Sequence, residues 1–97
     1  MKFQSESVDR LFASILALES LEECYAYFSD LCTVKEIQDM AQRLDTAVLL
    51  HKGASYQEIT QQVSISTATI GRVSRALNYG SGGYRTVIGR LEQEETK

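Results

Sequence analysis

Arg72 and Arg75 are the pair of side chains in this chain best spaced to do joint chemistry. Residues three apart on a helix share a face. Two guanidinium groups on one face can donate to guanine edges or to phosphates. The surrounding run, Thr67-Ala-Thr-Ile-Gly-Arg-Val-Ser-Arg-Ala-Leu-Asn78, has helical apolar spacing at Ile70, Val73 and Leu77. Turning those three inward turns Ala68, Gly71, Arg72 and Arg75 outward. The small side of Ala68 and Gly71 would let the helix come close to a duplex. Thr67 and Thr69 stand at its leading end, where hydroxyls, methyls and unpaired backbone amides suit base edges and phosphates.

A helix can read DNA only if something holds it out. The preceding run Tyr56–Val63 is a short helix by its pattern, and Ser64-Ile65-Ser66 is a tight turn. Ile59 and Val63 face inward from the first helix, Ile65 plugs the turn, and Ile70, Val73 and Leu77 face inward from the second. Six such positions suit two short helices crossing over one small core, a helix-turn-helix over residues 56–78. In that motif the second helix enters the major groove by its N-terminal end. The first helix crosses the backbone, with Tyr56, Gln57, Thr60 and Gln61 near phosphates. The turn carries Ser64 where such motifs often have Gly. The same pattern also occurs outside DNA-binding proteins, with Arg72 and Arg75 as a solvated face.

Capping signals divide the remaining chain. Ser20-Leu-Glu-Glu23, Thr33-Val-Lys-Glu36 and Ser55-Tyr-Gln-Glu58 each fit the box in which a hydroxyl caps one free amide and a Glu reaches back to another. The pattern gives helices at Ser7–Leu18, at Leu21–Leu31, from Thr33 to Lys52-Gly53, at Tyr56–Val63, at Thr67–Asn78 and at Tyr84–Gln93. Asn78-Tyr-Gly-Ser-Gly-Gly83 reads as a flexible break. Nothing alternates as a strand, so the fold class is all-α with six helices.

With 97 residues and 43% hydrophobic content the chain reads as one folded domain, 1–97, with an acidic frayed tail at 92–97. The net charge of −3 is unevenly spread: residues 1–50 carry −5, residues 51–90 carry +4 and the tail −2. Lys52, Arg72, Arg75, Arg85 and Arg90 form the basic region, and a local basic region is what phosphate contact requires. No apolar run reaches the ~20 residues of a membrane span. The start lacks the apolar core of a signal peptide, so the expectation is a cytoplasmic protein. Cys24 and Cys32 would lie ~12 Å apart along one helix, too far for a disulfide, and read as reduced, partly buried thiols. His51 near a helix C-terminus, with two distant cysteines, makes no zinc site. No nucleophile, base and orienter converge in the pattern. Neither an enzyme nor a cofactor or metal is expected.

The chain resembles the Trp repressor superfamily, and within it the TrpR-related YerC/YecD family. The resemblance rests on Leu31-Cys-Thr-Val-Lys-Glu36, Arg43, Leu49-Leu-His-Lys-Gly53, Ser55-Tyr-Gln-Glu-Ile59 and Ala68-Thr-Ile-Gly-Arg72. It implies a six-helix Trp-repressor-like fold in an intertwined homodimer, with the N-terminal helices of two chains interlocked. A two-fold dimer would read two half-sites about one DNA turn apart. Arg43 and Arg72 are similar in place to the two arginines that hold the repressor's amino-acid corepressor. Val73 stands where the repressor has Gly beside the indole, and Ala76 where it has a ligand-holding Ser. An unidentified effector could use Arg43 and Arg72, but L-tryptophan is not expected to bind. For Arg43 the other reading is a salt bridge to a nearby carboxylate.

Together these readings point to a regulator that binds double-stranded operator DNA as a homodimer, a repressor by the family resemblance. The alternative is a protein-interaction module that keeps the fold without binding DNA or an amino acid, in line with the acidic N-terminal half.

Overall fold

Hydroxyl side chains open the first five helices. In the computed structural model, which describes residues 1–95, Ser5, Ser20, Thr33, Ser55 and Ser66 each accept a hydrogen bond from the backbone amide three residues on, at 3.1–3.2 Å. Each satisfies one of the amides a helix start leaves unpaired. The elements that follow are α1 (Glu6–Leu16), α2 (Leu21–Leu31), α3 (Val34–His51), α4 (Tyr56–Gln62), α5 (Thr67–Tyr79) and α6 (Gly83–Glu95). The fold is all-α, and the described residues contain no strand.

Two of the three expected capping boxes close fully. Glu36 Oε1 accepts from the Thr33 amide at 2.9 Å and Glu58 Oε1 from the Ser55 amide at 3.2 Å. These bonds from Thr33 hold the Glu36 carboxyl below its usual value of 4.5. At Ser20 the box closes one residue early: Glu23 Oε1 takes the amide of Glu19 at 2.8 Å.

The chain divides into two compact units, Met1–Ile37 and Gln38–Lys97. In the first, α1 and α2 are joined by Tyr27, whose hydroxyl lies 2.6 Å from Ser14 Oγ while Ser14 donates to Leu11 O. Tyr27 and Phe28 meet edge to face, with centroids 5.9 Å apart. No residue of α1 or α2 is fully buried. Cys24 and Cys32 are free, half-buried thiols.

In the second unit α3 stops at a Schellman turn. Gly53 takes φ +91°, its amide bonds Leu50 O at 3.0 Å, and Ala54 N bonds Leu49 O at 3.0 Å. Two apolar clusters follow. Ile59, Val63 and Ile70 pack with Leu49, Leu50, Ala54 and Ile65. Ala47, Val73, Leu77 and Ile88 pack with Val48, Leu50 and Tyr84. The six inward positions expected to share one core are thus split between two, because α6 supplies Ile88 as a partner for Val73 and Leu77. Leu50 borders both.

The last two helices extend beyond the bounds the sequence pattern gave. α5 continues to Tyr79 and α6 begins at Gly83, so the expected break shrinks to Gly80–Gly82. α6 also runs on through Glu95, where fraying was expected from residue 92. Glu92 gains a partner there, His51 Nε2 at 2.9 Å, a contact that becomes an ion pair when the imidazole is protonated. Residues 96–97 of the expected tail lie outside the described residues.

Gly80 and Gly89 give opposite expectations. A Cβ on Gly80 would collide with the backbone carbonyl of Ala76, whereas one on Gly89 meets open space. Gly80→Ala should therefore cost about 1–3 kcal/mol. Gly89→Ala should add about 1 kcal/mol of helix propensity. Thermal unfolding of the two variants checks the pair: the first melts below the parent protein and the second above it.

Candidate nucleic-acid interface

The buried side of α5 decides where its arginines point. Ile70, Val73 and Leu77 are 0%, 2% and 5% exposed. Residues at a spacing of 3–4 all fall on one stripe, so the opposite stripe must face out. Ala68, Arg72 and Arg75 are exposed. Neither the Arg72 nor the Arg75 side chain makes a hydrogen bond or ion pair with any described residue. Their charge is uncompensated on the open face.

The leading end of α5 is built differently from the expectation in one respect. Ser66 is its N-cap, accepting from Thr69 N at 3.2 Å, and the Thr69 hydroxyl lies 2.9 Å from Ser66 Oγ. Thr69 is half-buried and its hydroxyl is engaged. Thr67 is exposed, with no hydrogen-bond partner among the described residues, and is the better-placed hydroxyl. The sequence offered Ser66 as a turn residue only. Without a Glu at position 69, the segment lacked the signature that marked the other caps.

α4 lies against this end. The Tyr56 hydroxyl is 3.9 Å from the point where a Cβ on Gly71 would stand. Gly71 is half-buried, so its contribution to the open face is narrower than Ala68's. Gln57 and Thr60 are exposed on α4, and the Thr60 hydroxyl donates to Gln57 O at 2.8 Å. The eight residues Gln57, Thr60, Thr67, Ala68, Thr69, Gly71, Arg72 and Arg75 therefore lie on α4 and α5, with Thr69 and Gly71 the two that are partly covered.

Both arginines singled out for an effector are exposed. Arg43 is on α3, and neither its side chain nor that of Arg72 bonds a described residue. The salt bridge considered for Arg43 is not formed among the described residues. An open apolar groove of about 440 Å³ runs along Leu44, Ala76, Ser81, Gly83, Tyr84 and Val87, and neither arginine lines it. Val73 is buried in one cluster with Ala47, Leu77 and Ile88. Among the described residues no three His, Cys, Asp or Glu side chains are grouped to hold a metal. No helix among them is long and apolar enough to cross a membrane.

The model of the Trp repressor protein family matches residues 6–92. The chain belongs to the Trp repressor family. It is 48% identical over 96 residues to the uncharacterized protein YerC of Bacillus subtilis (strain 168), covering 99% of this chain and 92% of that one. Two crystal structures agree closely with its fold. A TrpR-like protein from Eubacterium eligens ATCC 27750 superposes with a TM-score of 0.91 at 43% identity, covering 94% of each chain. A candidate Trp repressor from Staphylococcus aureus superposes with a TM-score of 0.90 at 45% identity, covering 94% of this chain and 91% of that one. The Trp repressor family is one of regulators.

The packing around Val73 sets a test. Val73→Ala should cost about 2 kcal/mol, since it empties a filled site. Calorimetry of the unaltered protein with L-tryptophan should give no saturable heat; clear binding would show that the space beside Val73 opens.

Proposed function

We propose that the protein is a sequence-specific DNA-binding transcriptional regulator, a repressor acting in the cytoplasm by occupying operator DNA as a homodimer. The observation that carries this reading is the exposure of Arg72 and Arg75, unpaired, on the side of α5 opposite its buried stripe. Unpaired guanidinium groups on an open helix face cost nothing in water and gain most from base edges and phosphates. In this reading Thr67, Ala68, Gly71, Arg72 and Arg75 meet the major groove. Gln57 and Thr60 meet phosphates, and Thr69 contributes mainly through its methyl group and the cap it forms with Ser66.

The dimer draws support from the first unit. Leu16, Leu21 and Tyr25 are 85%, 73% and 72% exposed, and α1 and α2 bury nothing fully. Large apolar side chains left in water in this number call for a partner, and a second copy supplies one by two-fold symmetry. Residues 1–97 then act as one functional domain, with two copies presenting two α5 helices. An effector, if one acts, is a small anion drawn to Arg43 and Arg72 and is not L-tryptophan.

Fluorescence anisotropy against duplexes selected from genomic fragments tests the reading at two salt concentrations. Affinity should fall steeply with salt, with two chains bound per duplex. Arg75→Ala should weaken binding roughly ten- to a hundredfold. An absence of salt-dependent affinity would overturn the proposal. If a stable protein partner were then retained with no DNA, the interaction-module reading would replace it.

A further inference from the structure

We propose that Arg85 is a positioning residue for the reading helix, a clamp on the C-terminal end of α5, and not one of the residues that touch DNA phosphates. The inference rests on the DNA-binding reading above for its functional half and on geometry alone for its structural half.

By charge count Arg85 belongs to the same basic stretch as Arg72 and Arg75. Its contacts separate it from them. From α6, Arg85 Nε donates to Leu77 O at 3.1 Å, and the Nη2 nitrogen donates to Asn78 Oδ1 at 3.0 Å. Asn78 in turn donates from Nδ2 to Ser74 O at 2.9 Å. The guanidinium thus grips one of the last carbonyls of α5 and a side chain that is itself tied one turn back.

Two features of α5 explain why an external cation is used. The last turn of a helix leaves carbonyls unpaired and carries partial negative charge. α5 has no basic residue in its own last turn to answer either need. The helix then ends abruptly. Gly80 donates to Ala76 O at 2.9 Å and leaves no room for a Cβ above that carbonyl, so the chain turns at once into α6. Arg85 sits one turn into α6, in reach of the end it closes, while Ile88 on the same helix enters the core beside Val73 and Leu77. Clamp and core contact together fix α6 to the half of α5 remote from its leading end. The fork geometry matters: a lysine ammonium keeps the charge but offers a compact point in place of two nitrogens set to reach a carbonyl and an amide together.

Arg85→Lys, Asn78→Ala and the double variant distinguish a clamp from a phosphate contact. In the free protein, hydrogen exchange of the Leu77–Gly80 amides should speed up roughly three- to tenfold in each single variant. The double variant should fall short of the product of the two single effects, because the two share the Arg85–Asn78 contact. Unchanged exchange, or effects that simply multiply, would overturn the clamp. On DNA, Arg85→Lys should weaken binding as much as Arg85→Ala does, and the slope of affinity against salt should stay that of the unaltered protein. A phosphate contact predicts the reverse: Arg85→Lys retains affinity and Arg85→Ala lowers the slope by about one. Arg75→Ala serves as the comparison that does change the slope. If the unaltered protein binds no duplex, the DNA-binding reading fails on that result, and the exchange data still decide the clamp.

Discussion

The rotation of α5 about its own axis is set by three side chains, and the rest of the site follows from it. Ile70, Val73 and Leu77 are all but inaccessible to water. Burying side chains of this size is worth about 1.5–3 kcal/mol each. Turning the helix by a third of a revolution would expose them and drive Arg72 or Arg75 inward without a partner. An unpaired buried charge costs several kcal/mol more. Both effects favour the observed rotation, so the arginines are held outward by the apolar residues between them.

Two clusters share the task of holding α5. Its leading half is fixed by Ile59 of α4 and Val63 just after it, and its trailing half by Ala47 of α3 and Ile88 of α6. α4 alone is seven residues long, too short to be stable by itself. Its capping box at Ser55 and Glu58 and its contact with Ile70 keep it in place. Ser66 caps α5 and at the same time draws in Thr69. The start of α5 is therefore pre-formed, so under the proposed DNA-binding role no ordering of it would oppose binding.

Much of this was legible in the residues. Six helices were visible from apolar spacing, with Ser and Thr capping boxes marking three of the starts. The outward face of α5 was legible because Ile70, Val73 and Leu77 recur at a helical period that only one rotation satisfies. The rest depended on contacts between segments distant in sequence. The run Asn78–Gly83 reads as loose from its glycines, yet Arg85 and Asn78 tie it, and nothing in local pattern announces a side chain reaching back eight residues. Glu92 reads as part of a charged tail because its partner, His51, lies 41 positions earlier. The single core expected for the helix-turn-helix became two because Ile88 comes from a helix outside the motif. Thr69 looked free for DNA because a Ser-to-Thr cap carries no distinctive signature. Membership of the Trp repressor family was legible in the spacing of Leu31–Glu36, Arg43 and Ala68–Arg72, and the family model matches across residues 6–92.

The central claim is that the open face of α5 is where duplex DNA sits, and amide chemical-shift mapping during titration with a bound duplex addresses it most directly. The account predicts that the largest changes cluster on Thr67–Arg75, with smaller ones on Gln57 and Thr60 and little at Ile88. Changes confined to Met1–Ile37, or an α5 that stays silent while DNA binds, would contradict it.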